Sequence, residues 1–155
     1  MKNILTVASY IASRYKKEYD QPVDEMKLHK LLYLAQRECM IQTNQALFPE
    51  EFEGWRFGPM APMIRGAYRD QSFPSVSEAD MAEYRNVLDY VFENFAAMDS
   101  FALARLTHGE ICWKKSRKGI APSASSSVTI PTEDIRLDAD RIRERRTMLA
   151  RQGLL

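Results

Sequence analysis

The chain has 155 residues, 45% apolar and 28% charged, with a formal net charge of +1. That length and apolar content fit one domain with a sizeable core, and the near-zero balance excludes a global basic field for nucleic acid. Cys39 and Cys112 both fall in apolar-patterned helical segments, as suits reduced, buried thiols. No apolar run approaches the roughly 18 residues that span a bilayer, so a soluble, cytoplasmic protein is expected.

Residues 3–19 read as a first helix. Ile4, Val7, Ala8, Ile11 and Tyr15 form its buried stripe, and Lys16 and Lys17 face out. The polar run Tyr19-Asp20-Gln21-Pro22 ends it, and residues 24–43 follow as a second helix capped by Asp24. Here Leu28, Leu31, Leu32, Ala35 and Cys39 share one face, Leu34 and Ile41 make a second apolar line, and Tyr33 and Met40 a third. A helix apolar on three sides is enclosed by others, so this is the expected central core helix. Lys30 and Arg37 are expected where its outer side meets water or a partner.

From Leu47 to Pro62 the helical period disappears. Trp55 and Phe57 alternate with polar or small neighbours as in an extended segment, and Gly58-Pro59 predicts a turn. Pro62 suits the first turn of a short helix from Met63 to about Arg69. Ser77-Glu78-Ala79-Asp80 opens a helix running through residue 97, with Met81, Tyr84, Leu88, Val91, Phe92 and Phe95 on its apolar face. Asp99-Ser100 caps the next, Phe101 to about Arg117, weakened at Gly109 and ending in the basic knot Lys114–Lys118.

Residues 119–127 are rich in Ser, Ala and Pro and read as an exposed, mobile loop. Val128-Thr129-Ile130 is a candidate strand for pairing with the Trp55–Phe57 segment. A last helix, 132–151, carries the narrow stripe Ile135, Ala139, Ile142 and Leu149, interrupted by Arg146 and flanked by Arg141, Arg143 and Arg145. The expected fold is mainly α. It is a single compact domain over residues 1–155, with a core at about 3–118, five or six helices around 24–43 and at most a minor β-ribbon.

Chemistry is hard to place on this chain. His108 and Cys112, four apart, share a face of a continuous helix, which admits a thiolate–imidazole pair or half a metal site. A zinc site needs two more ligands, and His29 and Cys39 form no short cluster with anything. A packed histidine beside a buried cysteine is the favoured reading. Glu50, Glu51 and Glu53 read as solvated acids, and six scattered glycines form no phosphate loop. No catalytic residue, metal or cofactor is expected. Arg56, Met60, Met63, Arg65 and Tyr68, near the aromatic segment, are instead the residue types enriched in protein interfaces.

Three segments together are similar to a known family. Residues 27–36, Lys27-Leu28-His29-Lys30-Leu31-Leu32-Tyr33-Leu34-Ala35-Gln36, resemble the KLQKLLYLAQ helix of the Panacea antitoxin domain, also described as phage-associated or SocA-like. Residues 47–62, with Leu47-Phe48, Trp55 and Gly58-Pro59, resemble its LF-x-E-x-F-x-A-W-x-x-GPV-x-P segment, and Leu106-Thr107-His108 with Trp113 its L-T-H-x-x-x-x-W element. His29 stands where Gln is usual, Gly54 where Ala is common and Met60 where Val is usual.

The resemblance implies a helical, non-enzymatic antitoxin that neutralises a cognate toxin encoded beside it. Action as an adaptor handing the toxin to a protease is a second implied route. Two further readings stay open from the residues: a DNA-binding regulator of its own operator, and a thiol enzyme using Cys112 and His108.

Overall fold

The first two helices form where a side-chain cap and an apolar period agree. The computed structural model describes residues 1–155 and begins with α1, Ile4–Tyr19, whose N-cap Asn3 accepts from Leu5 N at 2.7 Å. Asp24 likewise accepts from Lys27 N at 2.8 Å and starts α2, Glu25–Thr43. Every residue from Lys27 to Ile41 is buried, so α2 is the axis of the fold. It touches α1, α3 (Pro62–Asp70), α4 (Arg85–Asn94), α5 (Ser100–His108) and α7 (Thr132–Arg151). The remaining helix is α6, Ile111–Ser116, and a 3-10 helix, Ala79–Tyr84, precedes α4.

The mainly helical reading holds: α2 is joined by six further α-helices, within the five or six expected around it but one more than the segments read along the chain. The extra one arises because residues 101–117 do not form one helix. Gly109 breaks the run, and the buried carboxylate of Asp138 on α7 restarts it by accepting from Ile111 N at 2.8 Å and Cys112 N at 2.9 Å. The helix expected from Ser77 is also shorter, since its first turns are 3-10 and it ends at Asn94.

The minor sheet has three antiparallel strands in the order β2-β1-β3. β1 is Phe52–Trp55, β2 Gly58–Met60 and β3 Thr129–Ile130. Residues 129–130 do form a strand, but it pairs upstream of the expected Trp55–Phe57 stretch, with Phe52 opposite Ile130 and Glu53 opposite Thr129, because Trp55 is taken by Gly58 and Arg56-Phe57 form the turn. The turn itself lies at Arg56-Phe57, one step before Gly58-Pro59, because Gly58 and Pro59 are already paired with Trp55 and Gly54. Gln36 of α2 ties the approach to the sheet to the core, accepting from Leu47 N at 2.7 Å and donating to Phe48 O at 2.8 Å.

Two expectations about α2 and one about α7 are overturned. Lys30 and Arg37 do not face outward: they are 2% and 6% exposed. Arg37 pairs with buried Glu110, and Lys30 reaches the hairpin. On α7, Arg146 is part of the seam. It grips buried Glu38 through two bonds of 2.8 and 3.1 Å and donates to the Tyr90 hydroxyl at 2.7 Å. Arg143 and Arg136 donate to the carbonyls of Met40, Ile41 and Asn44 that end α2, where cations complement the helix dipole. Arg143 is therefore engaged inside the chain, while Arg141 and Arg145 are exposed. Ile135 and Ala139 belong to the same apolar cluster as α2.

Candidate functional site

The hairpin formed by β1 and β2 is held by polar side chains reaching its backbone. From α2, Lys30 Nζ donates to Pro59 O at 3.2 Å, and His29 Nδ1 accepts from Ala61 N at 3.2 Å. From α5 and α6, His108 Nε2 donates to Arg56 O at 3.0 Å and Trp113 Nε1 to Trp55 O at 2.8 Å. The His108 and Trp113 rings stack with centroids 4.2 Å apart. Arg117 completes the clasp by donating to Gly54 O at 3.0 Å. Five carbonyl or amide groups of one short hairpin are thus fixed by side chains from three helical segments.

Gly58 is the point where these segments close. Its φ of +110° is a conformation that L side chains rarely adopt, and an added Cβ would lie 2.5 Å from Thr107 Oγ1 and 2.7 Å from Lys30 Cε. Gly58→Ala is therefore expected to cost roughly 1–3 kcal/mol or more in a denaturant titration, from backbone strain and displacement of both neighbours. A Cβ at Gly54 would collide with the Ser116 side chain, which accounts for glycine at that position.

The clasp leaves a cleft of about 740 Å³ at the hairpin tip. Its walls include Trp55, Arg56 and Phe57 of the tip, Met26 and Lys30 of α2, and Arg65 of α3. Ser125–Ser127 close another side. That stretch lies in the segment expected to be mobile, but Arg117 ties the chain beside it, donating to Ala121 O at 3.0 Å and Ala124 O at 2.6 Å. Arg117 is buried, so only part of the basic knot is a solvated end. Arginines pair with aromatics along the rim: Arg56 lies 4.8 Å from the Phe57 ring centroid and Arg65 5.3 Å from that of Trp55.

Of the five sequence-selected contact residues, Arg56 and Met63 are exposed and Arg65 is half-buried at the cleft. Met60 is 4% exposed in β2 and reaches only the cleft wall. Tyr68 packs against the core, and its hydroxyl donates to Val23 O at 2.7 Å. Leu28, Leu31, Leu32 and Tyr33 are fully buried, and Gly58, Pro59, His108 and Trp113 meet at the clasp. Sequence reasoning missed Lys30, Glu25 and Phe57 as cleft residues. The signal for Lys30 was its place on a helix with three apolar lines.

His108 and Cys112 are not joined. The break at Gly109 removes their common helical face: His108 turns to the hairpin, whereas Cys112 Sγ lies 3.2 Å from the Tyr33 hydroxyl. Burial pushes the Cys112 thiol up, the direction opposite to that of an activated nucleophile. No group of three or more His, Cys, Asp or Glu residues is placed to hold a metal.

A family model for the SocA-like antitoxin Panacea domain matches residues 28–114. The chain belongs to this family. No curated protein and no solved structure matches it. The matched span of the Panacea domain runs from α2 into α6, and the motif residues Lys30, Gly58, His108 and Trp113 within it are those that build the clasp. No helix is long and apolar enough to cross a membrane.

His29, which departs from the glutamine of the resembling helix motif, gives the clasp a titrating member. It is 3% exposed; Nδ1 accepts from Ala61 N, and Nε2–H donates to Glu25 Oε2 at 3.1 Å, as a neutral ring does. Burial lowers its pKa from 6.5 to about 4, against the pull of Glu25. Between those values the unfolded chain binds the proton and the folded chain does not, so stability falls as pH drops from 6.5 to about 4. His29→Gln keeps both hydrogen bonds without the charge. Denaturant titrations at pH 7 and pH 4 are expected to show the wild type losing on the order of 2–3 kcal/mol more than this variant.

Proposed function

We propose that this Panacea domain neutralises a cognate protein toxin by direct binding, with the hairpin tip and α3 as the contact face. The observation that carries this reading is the rim of the cleft. Arg56 over Phe57, Arg65 over Trp55 and the exposed thioether of Met63 put interface-type side chains on one rigidly clasped surface. Phe57 at 44% and Met63 at 51% exposure are apolar groups for which the chain supplies no cover. The last helix, α7, offers less to a partner, because Arg136, Arg143 and Arg146 are occupied by α2 and its partners. We take α7 as part of the same domain on the strength of Ile135 and Ala139 in the shared core.

A DNA-reading role for α2 is disfavoured by its burial from Lys27 to Ile41. The test is co-expression with the product of the adjacent gene in the cytoplasm. Restored growth with a stable one-to-one or higher complex supports neutralisation by binding. Restored growth with protease-dependent loss of the toxin would instead identify an adaptor, and promoter retardation that weakens steeply with salt would identify a repressor.

A further inference from the structure

The cleft holds a cation that this chain does not pair. Lys30 is 2% exposed, yet its ammonium, with three donor hydrogens, has one hydrogen-bond acceptor, Pro59 O at 3.2 Å. No carboxylate forms an ion pair with it: Glu25, the acid of the same cleft, is occupied by His29 at 3.1 Å and Arg65 at 3.6 Å. Burial brings the Lys30 pKa down to about 8, in spite of Asp24 and Glu25 nearby. Lys27 makes the contrast. It is the other buried lysine of α2, but it donates to both Tyr15 Oη at 3.1 Å and Ala96 O at 3.0 Å and lies over the Tyr15 ring. A buried ammonium is ordinarily paired, because burial strips its hydration and only a partner restores it.

Resting on the toxin-binding reading above, we propose that the cleft anchors a carboxylate of the toxin, from an Asp or Glu side chain or the chain terminus, on Lys30. Charge complementarity selects the occupant. Lys30, Arg56 and Arg65 face a single acid, Glu25, so the cleft is cationic. The walls are apolar and aromatic through Met26, Trp55, Phe57 and Met60, matching a carboxylate flanked by apolar side chains in an extended peptide. Arg56, at the mouth, carries no ion pair and is the outer cation that draws the acidic segment in.

The experiment uses the full chain and the product of the adjacent gene, with carbodiimide coupling of the complex followed by peptide mass spectrometry. This reagent joins an amine only to a carboxylate in contact with it. An amide between Lys30 and an acidic residue or the C-terminus of the toxin is the expected product. In titration calorimetry Lys30→Met, which keeps the aliphatic packing on Gly58, is expected to raise Kd at least about tenfold. Arg56→Ala, at an exposed position, is expected to raise it several-fold, and Lys118→Met, exposed and outside the cleft, to leave it unchanged. Thermal melting establishes that each variant is folded; if Lys30→Met is not, the wild-type cross-link and Arg56→Ala decide. Unchanged affinity in a folded Lys30→Met overturns the anchor, and so does weaker binding without any Lys30 cross-link. A wild-type chain that forms no complex overturns the toxin-binding reading itself, and the anchor falls with it.

Discussion

Leu32→Ala is expected to lower the unfolding free energy by roughly 2–5 kcal/mol. Leu32 is fully buried on α2, the helix against which α1, α3, α4, α5 and α7 all pack. Truncation removes the transfer energy of the lost methyl groups and leaves a cavity that surrounding helices cannot all close upon, because each is fixed by its own contacts. A urea titration followed by circular dichroism measures the loss. A change within about 0.5 kcal/mol would mean that α2 is peripheral and that the helices are not organised around it.

Arg37→Ala is expected to be about as damaging, roughly 3–5 kcal/mol, for an electrostatic reason. Arg37 and Glu110 form a salt bridge with side chains only 7% and 4% exposed, next to buried Asp138. Burial, together with Asp138, pushes the Glu110 carboxyl up to about 7 even with Arg37 opposing it. Arg37 Nε and Glu110 Oε2 have no hydrogen-bond partner, so the pair is incompletely satisfied. Removing the arginine alone strands a carboxyl beside a second carboxylate. Replacing both, as Arg37→Met with Glu110→Leu, removes that conflict and is expected to recover most of the loss. Denaturant titration of the two singles and the double separates the coupling from packing effects. Additive losses would show that the pair does not act as a unit.

Much of this arrangement was legible in the residues. The apolar lines of 24–43, the cap at Asp24, the short helix opened by Pro62 and a strand at 128–130, though not its register against Phe52 and Glu53, all follow from period and turn chemistry. What escaped depends on contacts distant in sequence. Lys30 and Arg37 read as outward because Lys and Arg are rarely buried, and nothing near them in sequence announces Pro59 O or Glu110 as partners. The break at Gly109 was legible only as a weak point: Asp138, about thirty residues on, supplies the carboxylate that restarts the helix. The stripe on α7 looked too narrow to dock because Arg146 interrupts it, whereas bidentate pairing with Glu38 makes that arginine part of the seam.

For the site, the aromatic segment identified the region but not its form. Arg56, Met63 and Arg65 lie on the surface as selected, while Met60 and Tyr68 are turned inward by β2 pairing and by the bond to Val23 O. Family motif residues that look like scattered core positions in sequence turn out to converge on one hairpin. Thr107 and Lys30 crowd Gly58, and His108 and Trp113 hold the carbonyls beside it.

The most direct measurement of the central claim is the affinity of the adjacent gene's product for wild type and for the double variant Met63→Ala, Arg65→Ala. Met63 is exposed and Arg65 makes only partly exposed contacts, to Glu25 and the Trp55 ring, so melting temperature is expected to stay within a few degrees of wild type. If the hairpin and α3 form the toxin-binding face, Kd rises by about 30-fold or more, near 2 kcal/mol, as for loss of interface anchors. A folded double variant that binds the toxin with wild-type affinity would contradict the account.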